Sequence, residues 1–321
     1  MKLIIQIPCL NEEKTLPITL KYLPKKIEGV DNIEVLIIND GSTDRTVEVA
    51  RECRVDHVVN YCQRRGLAEA FMAGLDACLK RGADIIVNTD ADNQYYGPDI
   101  EKLIQPILKK EADIVVGNRE TDKISHFSFI KKKFHKLGSW LVRRISHTNI
   151  PDATSGFRAF SREAALRMDV ITKFSYTVET LIQAGKKDLK VTSVPVRTNE
   201  KLRESRLFSG MFDFLKKSGA TIVRVYATHE PLKVFFRIGG TIFFIGIIFG
   251  IRYLYFFFLG QGAGHVQSVI LSSTLMILGF ILFFIGLVAD LISTNRKLIE
   301  KMMYRIKKLE MDNKKIKDFR K

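Results

Sequence analysis

Short, continuous apolar runs alternate with stretches of helical spacing through the first 120 residues. KLIIQIP (2–8), IEVLIIND (33–40), HVVNY (57–61), DIIVNTD (84–90) and ADIVVGNR (112–119) read as strands. Between them, helical patterns fall near 15–23, from 43 to about 53, over 66–82 and over 97–110. A strand that is apolar at successive positions is buried on both faces. The alternation therefore predicts an α/β domain with a mostly parallel, Rossmann-like sheet covered by helices on both sides. The pattern changes after about residue 200. The stretch 207–236 mixes Phe and Met with Lys and Arg, as helices lying on a membrane surface do. Residues 238–260 are interrupted only by Arg252, and 266–289 carry no charge. About 20 residues cross a ~30 Å hydrocarbon core, so each stretch is long enough to span. In 293–321, Leu298, Met302, Ile306 and Leu309 fall about one per turn, the pattern of a helix that either contacts protein or stays solvated.

Four regions are thus predicted: a catalytic domain over 1–206, interfacial amphipathic helices over 207–237, a transmembrane hairpin over 238–292 and a basic helical tail over 293–321. The linker 261–265 has no Lys or Arg, whereas Arg224, Lys233, Arg237, Arg296, Lys297 and Lys301 flank the spans. By the positive-inside rule both termini lie in the cytoplasm and the hairpin tip outside. The net charge is +16, from 51 Lys and Arg against 35 Asp and Glu. The excess sits near the membrane segments and the tail, which speaks for anionic lipid and against nucleic acid as its partner. Cys9, Cys53, Cys62 and Cys78 have no zinc-site spacing and read as free thiols of a reducing compartment. The N-terminal apolar run is too short for a signal peptide and leads straight into a strand. Arg252 lies at membrane depth. It either snorkels to the outer headgroups or pairs inside the membrane, with a second copy of the chain, a lipid phosphate or a partner protein.

The chemistry gathers where the strands end. Ligands of such sheets bind at the carboxyl ends of the strands. Pro8, Asn11 and Glu12 follow the first strand, and Asp40, Gly41, Ser42 and Asp44 the second. In NTDADNQYY (88–96), Asp90 and Asp92 follow the fourth, with Gln94 beside them. Carboxylates this close repel each other and call for a compensating partner. An all-oxygen set suits Mg²⁺ or Mn²⁺, which characteristically join one or two carboxylates to substrate phosphates. A nucleotide diphosphate is the substrate class this suggests.

Taken together, IPCLNEE, NDGSTDRT, NTDADNQY and DATSGFRAF resemble the family 2 glycosyltransferases, and more narrowly the polyprenyl-phosphate enzymes of the dolichyl-phosphate mannose synthase kind. The resemblance covers about residues 1–210. It implies a GT-A fold, a UDP- or GDP-linked sugar donor, a polyprenyl phosphate acceptor in the membrane, and inversion at the anomeric carbon. It places Pro8, Asn11, Glu12, Asp40, Asp90 and Arg119 against the nucleotide sugar, with Asp40 at the base. Asp90, Asp92 and Gln94 would hold the metal and Arg119 and Arg158 would lie near the phosphates; the catalytic set would be Asp92, Arg158 and Asp152, with Asp152 either the general base or a residue that orients Arg158 or the sugar. Where the mannose synthases have a GESKL-like segment, this chain has RESRL. Lys201, Arg203, Ser205 and Arg206 are the implied acceptor-phosphate residues, with their individual roles open. Two alternatives share the fold. A processive polysaccharide synthase would carry a QxxRW motif, but the single Trp is Trp140 in KLGSW, and one hairpin forms no conduit. A non-catalytic membrane scaffold would tolerate loss of the acidic clusters, and none is lost.

Overall fold

The computed structural model describes residues 1–119, 142–143, 146, 148–170, 176–200 and 231–319. The chain divides into two compact units, Met1–Ile222 with Tyr304–Lys321, and Val223–Met303.

The first unit is built on a seven-stranded sheet in the order β3-β2-β1-β4-β6-β5-β7. Its strands are β1 (Lys2–Cys9), β2 (Asn32–Asp40), β3 (His57–Tyr61), β4 (Ile85–Asn88), β5 (Ile114–Asn118), β6 (Arg158–Ser161) and β7 (Val191–Pro195). The strands β3, β2, β1 and β4 run parallel, as do β5 and β7, while β6 is antiparallel to both of its neighbours. The five strands read from the sequence are present. β4 is shorter than its apolar run suggested: its pairing with β1 ends at Asn88, where Thr89 N makes the last bond, to Gln6 O at 3.1 Å. Helices α1 (Leu16–Lys21), α2 (Thr46–Glu52), α3 (Leu67–Lys80), α4 (Ile100–Leu108), α5 (Arg162–Arg167) and α6 (Tyr176–Lys186) surround the sheet. Leu3, Ile5, Ile7, Ile37, Ile85, Val87 and Val115 are fully buried in one core with Leu103 and Ile104 of α4, which is why the strands read as unbroken apolar runs.

In the second unit, α7 (Pro231–Phe258) is joined through a short 3₁₀ turn, Gly262–His265, to α8 (Val266–Phe319), which belongs to this unit as far as Met303. Both are long and apolar enough to cross a membrane. The predicted boundary at 237 falls inside α7, whose helical hydrogen bonding runs unbroken from Pro231. The rest of the predicted interfacial segment lies outside the described residues. The hairpin closes on small residues. An added Cβ on Gly279 would lie 2.8 Å from Gly239 O, and one on Gly246 3.0 Å from Met276 N. Ser272 Oγ donates to Gly246 O at 2.7 Å, satisfying itself across the seam. Arg252 is exposed, with its guanidinium 5.9 Å from the Phe256 ring, and Phe256 stacks on His265 at 3.9 Å.

The basic tail is not a separate helix; it continues α8. Its stretch from Tyr304 belongs to the first unit, where Tyr304 Oη donates to Glu163 Oε1 at 2.9 Å and the Arg167 guanidinium lies 5.4 Å from the Tyr304 ring. The once-per-turn residues Leu298, Met302, Ile306 and Leu309 are themselves exposed.

Candidate active site

The loops after β1 and β2 are laced to each other. Asn11 turns in the left-handed region (φ 56°) directly after β1. Its N–H donates to Ser42 Oγ at 2.9 Å, and its side-chain oxygen accepts from Thr43 N at 2.8 Å. Glu12 is buried, with its N–H on Thr46 Oγ1 (2.8 Å) and its carboxylate accepting from Thr15 Oγ1 (2.6 Å). Asp44 accepts from Thr46 N and Glu13 N, and these hydrogen bonds outweigh its partial burial and hold its carboxyl below the usual range. Pro8 lies one residue short of the end of β1, paired with Ile38.

Asp40, the last residue of β2, is buried and points its carboxylate at the start of α3. It accepts from Arg65 N (2.7 Å) and from Gly66 N (3.0 Å to Oδ2). A carboxylate suits this place because a helix N-terminus presents unpaired N–H groups and partial positive charge. Gly41 permits the approach: its φ is +72°, and a Cβ there would lie 2.5 Å from Arg64 N.

Asp90 and Asp92 follow β4 and are half-buried, and Asp92 Oδ1 accepts from Gln94 N at 3.2 Å. Asn93 between them and Gln94 is left-handed (φ 55°). Beneath this loop, Asn88 is fully buried. It accepts from Gln6 Nε2 (2.9 Å) and donates to Gly156 O (2.9 Å) and Tyr176 Oη (2.8 Å). The loop that carries Asp152 thus rests against the loop that carries Asp90. A Cβ on Gly156 would lie 2.9 Å from Tyr176 Oη and 3.3 Å from Asp90 Oδ2, so glycine lets this loop pack closely on both.

Asp152 is 1% exposed and Arg119 grips it with two prongs, Nε to Oδ2 at 2.7 Å and an Nη to Oδ1 at 3.0 Å. The same guanidinium donates to Thr154 Oγ1 at 2.9 Å. Burial works against the Arg119 charge, but the Tyr95 phenol and the Asp152 carboxylate outweigh it and raise its pKa. Tyr95, stacked on Phe157 at 4.9 Å, accepts from Gly156 N at 3.0 Å. Burial, with Asp90 and Asp152 adding to it against Arg119, pushes its phenol up to about 12.

Arg158 stands elsewhere than expected. It is fully buried on β6, and its guanidinium donates to Ser155 O (2.8 Å), Ala153 O (2.8 Å), Thr177 O (2.7 Å) and Thr180 Oγ1 (2.6 Å). Burial lowers its pKa to about 10. It braces the 152–158 loop against α6 and is closed to a phosphate, a correction to the expectation, as a catalytic residue, that it lies near the phosphates. Asp152 is accordingly the partner of Arg119. Lys201, Arg203, Ser205 and Arg206 lie outside the described residues. Asn88 was legible in the sequence beside the acidic pair; the supporting residues the sequence did not single out are Gln6, Tyr95, Gly156 and Tyr176, of which only Gln6, a polar residue inside the apolar strand KLIIQIP, carried a signal.

For a metal, Asp90, Asp92 and Gln94 offer the all-oxygen donor type that suits Mg²⁺ or Mn²⁺. Among the described residues no group of three or more His, Cys, Asp and Glu could hold an ion. The donor set here is short, as it is where Mg²⁺ takes one or two carboxylates and completes its shell with water and substrate phosphate.

This sheet, with its acidic loops at one edge, has the GT-A-like form of a nucleotide-sugar transferase, and residues 4–168 match the family model "Glycosyl transferase family 2". The chain belongs to that family and is a glycosyltransferase. It is 28% identical to the undecaprenyl-phosphate mannosyltransferase of Micrococcus luteus, over 66% of this chain and 89% of that one. It is 30% identical to the UDP-N-acetylglucosamine–dolichyl-phosphate N-acetylglucosaminyltransferase of Methanococcus voltae, over 60% and 83%. Among solved structures, glucosyl-3-phosphoglycerate synthase of Mycobacterium tuberculosis with Mn²⁺, UDP-glucose and phosphoglyceric acid superposes with a TM-score of 0.55 at 20% identity, covering 70% of this chain and 78% of that one. A second structure of that enzyme holds Mg²⁺ and UDP.

Proposed function

We propose that this protein transfers a sugar from a UDP- or GDP-linked donor to a polyprenyl phosphate at the cytoplasmic face of a membrane, with inversion at the anomeric carbon. The observation that carries the reading is one constellation at the sheet edge, Asp90, Asp92, Arg119 and Asp152, in a chain with two membrane-length helices. The relatives named for undecaprenyl and dolichyl phosphate support the acceptor class.

The chemistry follows from charge. A phosphate monoester has a second pKa near 6, so the acceptor is largely a dianion at pH 7 and is already a nucleophile. The remaining work is to bring two anions together and to stabilise the departing nucleoside diphosphate. Asp90, Asp92 and Gln94 would hold Mg²⁺ or Mn²⁺, which neutralises diphosphate charge when bound. Asp40, at the N-terminus of α3, and the interlaced 11–13 and 42–46 loops form the floor for the nucleotide. Arg119 brings fixed positive charge to the edge of the site. Asp152 keeps that guanidinium oriented; with a dianionic acceptor it is not required to remove a proton. Lys201, Arg203, Ser205 and Arg206 would receive the lipid phosphate at the headgroups. A polyprenyl chain stays in the bilayer, which gives the hairpin its purpose.

The test is direct. Membranes holding the protein, given labelled UDP- or GDP-sugars and a polyprenyl phosphate, should yield a glycolipid whose formation EDTA stops and Mn²⁺ restores. Asp92→Ala should lower the rate by at least about 10²-fold, the scale of losing a group that stabilises transition-state charge. Undiminished transfer in EDTA would end the metal assignment, and no lipid product from any donor would end the reading.

A further inference from the structure

Tyr176 opens α6 and is 1% exposed, with its ring stacked on Phe71 at 3.9 Å and within 6° of parallel. A phenylalanine would make the same stack. A buried hydroxyl costs desolvation unless it is hydrogen-bonded, and this one is bonded twice. It accepts from Asn88 Nδ2 at 2.8 Å and donates to Gly156 O at 3.2 Å. Asn88 Nδ2 donates to the same carbonyl at 2.9 Å, and Asn88 Oδ1 accepts from Gln6 Nε2. The N–H of Gly156 is held as well, by Tyr95 Oη at 3.0 Å. Side chains from the end of β4, from the loop after it and from α6 therefore fix both backbone groups of one residue.

Gly156 is also the residue that packs against Asp90. A Cβ added to it would lie 3.3 Å and 3.4 Å from the two Asp90 carboxylate oxygens. A few residues earlier in the same loop, Asp152 and Thr154 both accept from the Arg119 guanidinium, at 2.7 Å and 2.9 Å. The stretch 152–156 is thus a strut with Arg119 at one end and Asp90 at the other. Arg158 holds its middle through Ala153 O and Ser155 O. Tyr176 and Asn88 hold the end that meets Asp90.

We infer that Tyr176 is a positioning residue for the divalent metal: through Gly156 its hydroxyl fixes where the Asp90 carboxylate stands relative to Arg119, so that both can act on one diphosphate. This rests on the reading above, in which Asp90 helps to hold the metal. Burial closes Tyr176 itself to substrate, so its effect is carried by the Gly156 peptide. Without the hydroxyl, one Asn88 N–H loses its acceptor and Gly156 O loses one of its two donors, and the residue behind Asp90 is free to shift. Groups that orient metal ligands from behind generally act this way, and losing one costs about 10–100-fold in metal affinity or activity.

The experiment uses the full-length protein in nanodiscs, with UDP and GDP as probes, each titrated with Mn²⁺ and, after EDTA, without it. In the wild type Mn²⁺ should tighten the binding of one of the two nucleotides. In Tyr176→Phe that gain should shrink by about 10-fold, while affinity for the nucleotide without metal moves by less than about 3-fold. An undiminished Mn²⁺ gain in Tyr176→Phe overturns the inference and leaves the metal reading standing. Equal weakening with and without Mn²⁺ also overturns it, since Tyr176 then only holds the fold together. No Mn²⁺ gain for either nucleotide in the wild type refutes the metal reading, and the positioning role falls with it. If Tyr176→Phe loses its cooperative thermal melt, Tyr95→Phe, which releases the N–H of the same glycine, takes its place. A loss confined to the Mn²⁺ gain then supports the inference, and an undiminished gain or an equal loss overturns it.

Discussion

A carboxylate held by both prongs of a guanidinium, and almost without solvent, is a structural partner before it is a base. Arg119 and Asp152 form such a pair, with side chains 14% and 2% exposed. Removing one partner of a buried pair leaves an uncompensated charge, at a cost of about 3–5 kcal/mol. Asp152→Asn keeps the shape and removes the charge. It should lower the thermal midpoint by several degrees as well as the rate. In the wild type, the acidic limb of the rate profile should follow the acceptor phosphate near pH 6. Melting at the wild-type temperature with only the rate lost would make Asp152 a base after all. At this scale the sequence shows residue types better than their orientation. The acidic motifs announced themselves by crowding like charges after strands. Arg158 looked equivalent to Arg119, since both are Arg in a short motif. Their fates part because Arg158 lies on β6 itself, aimed into the protein and surrounded by carbonyls, whereas Arg119 lies one residue past β5.

The elements divide the same way. Strands buried on both faces were legible as apolar runs. β6 was not, because RAFS is four residues long and starts with a charge, and its antiparallel course has no marker in the chain. That course matters for chemistry: an antiparallel strand is entered from the edge where its parallel neighbours end, which brings Asp152 to Asp90. The seam of the hairpin also escaped notice, since glycine within an apolar run reads only as more apolar chain. Its packing gives a paired test. On Gly279 a Cβ would meet backbone on the other helix, Gly239 O at 2.8 Å and Phe243 N at 2.9 Å; on Gly240 it would meet nothing within 4 Å. Gly279→Val should destabilise the hairpin by about 1–3 kcal/mol, the usual cost of overpacking, and Gly240→Val should not. Unfolding of both variants in a detergent series provides the comparison, and equal stabilities would refute the seam.

For the whole molecule, segregation of charge from apolar sequence made the two long apolar helices readable apart from the α/β sheet. The continuity of α8 was not readable, because the change from apolar to basic composition near residue 293 looks like a boundary yet breaks no helical hydrogen bond. The native thiols suit a topology test. Cys53 and Cys62 are exposed on the catalytic unit, and Cys9 and Cys78 are buried. In intact cells a membrane-impermeant maleimide should label Gly262→Cys at the hairpin tip and leave the native protein unlabelled until the cells are opened. Labelling of the native protein in intact cells would invert the proposed orientation. The wedge position of β6 has one more consequence, for synthesis. β3, β2, β1 and β4 can assemble from the first 88 residues, but β5 has no partner until β6 begins 40 residues after β5 ends. At about 5–20 residues per second, a nascent apolar strand waits roughly 2–8 s with both edges open. During that interval an unpaired apolar strand is open to mispairing.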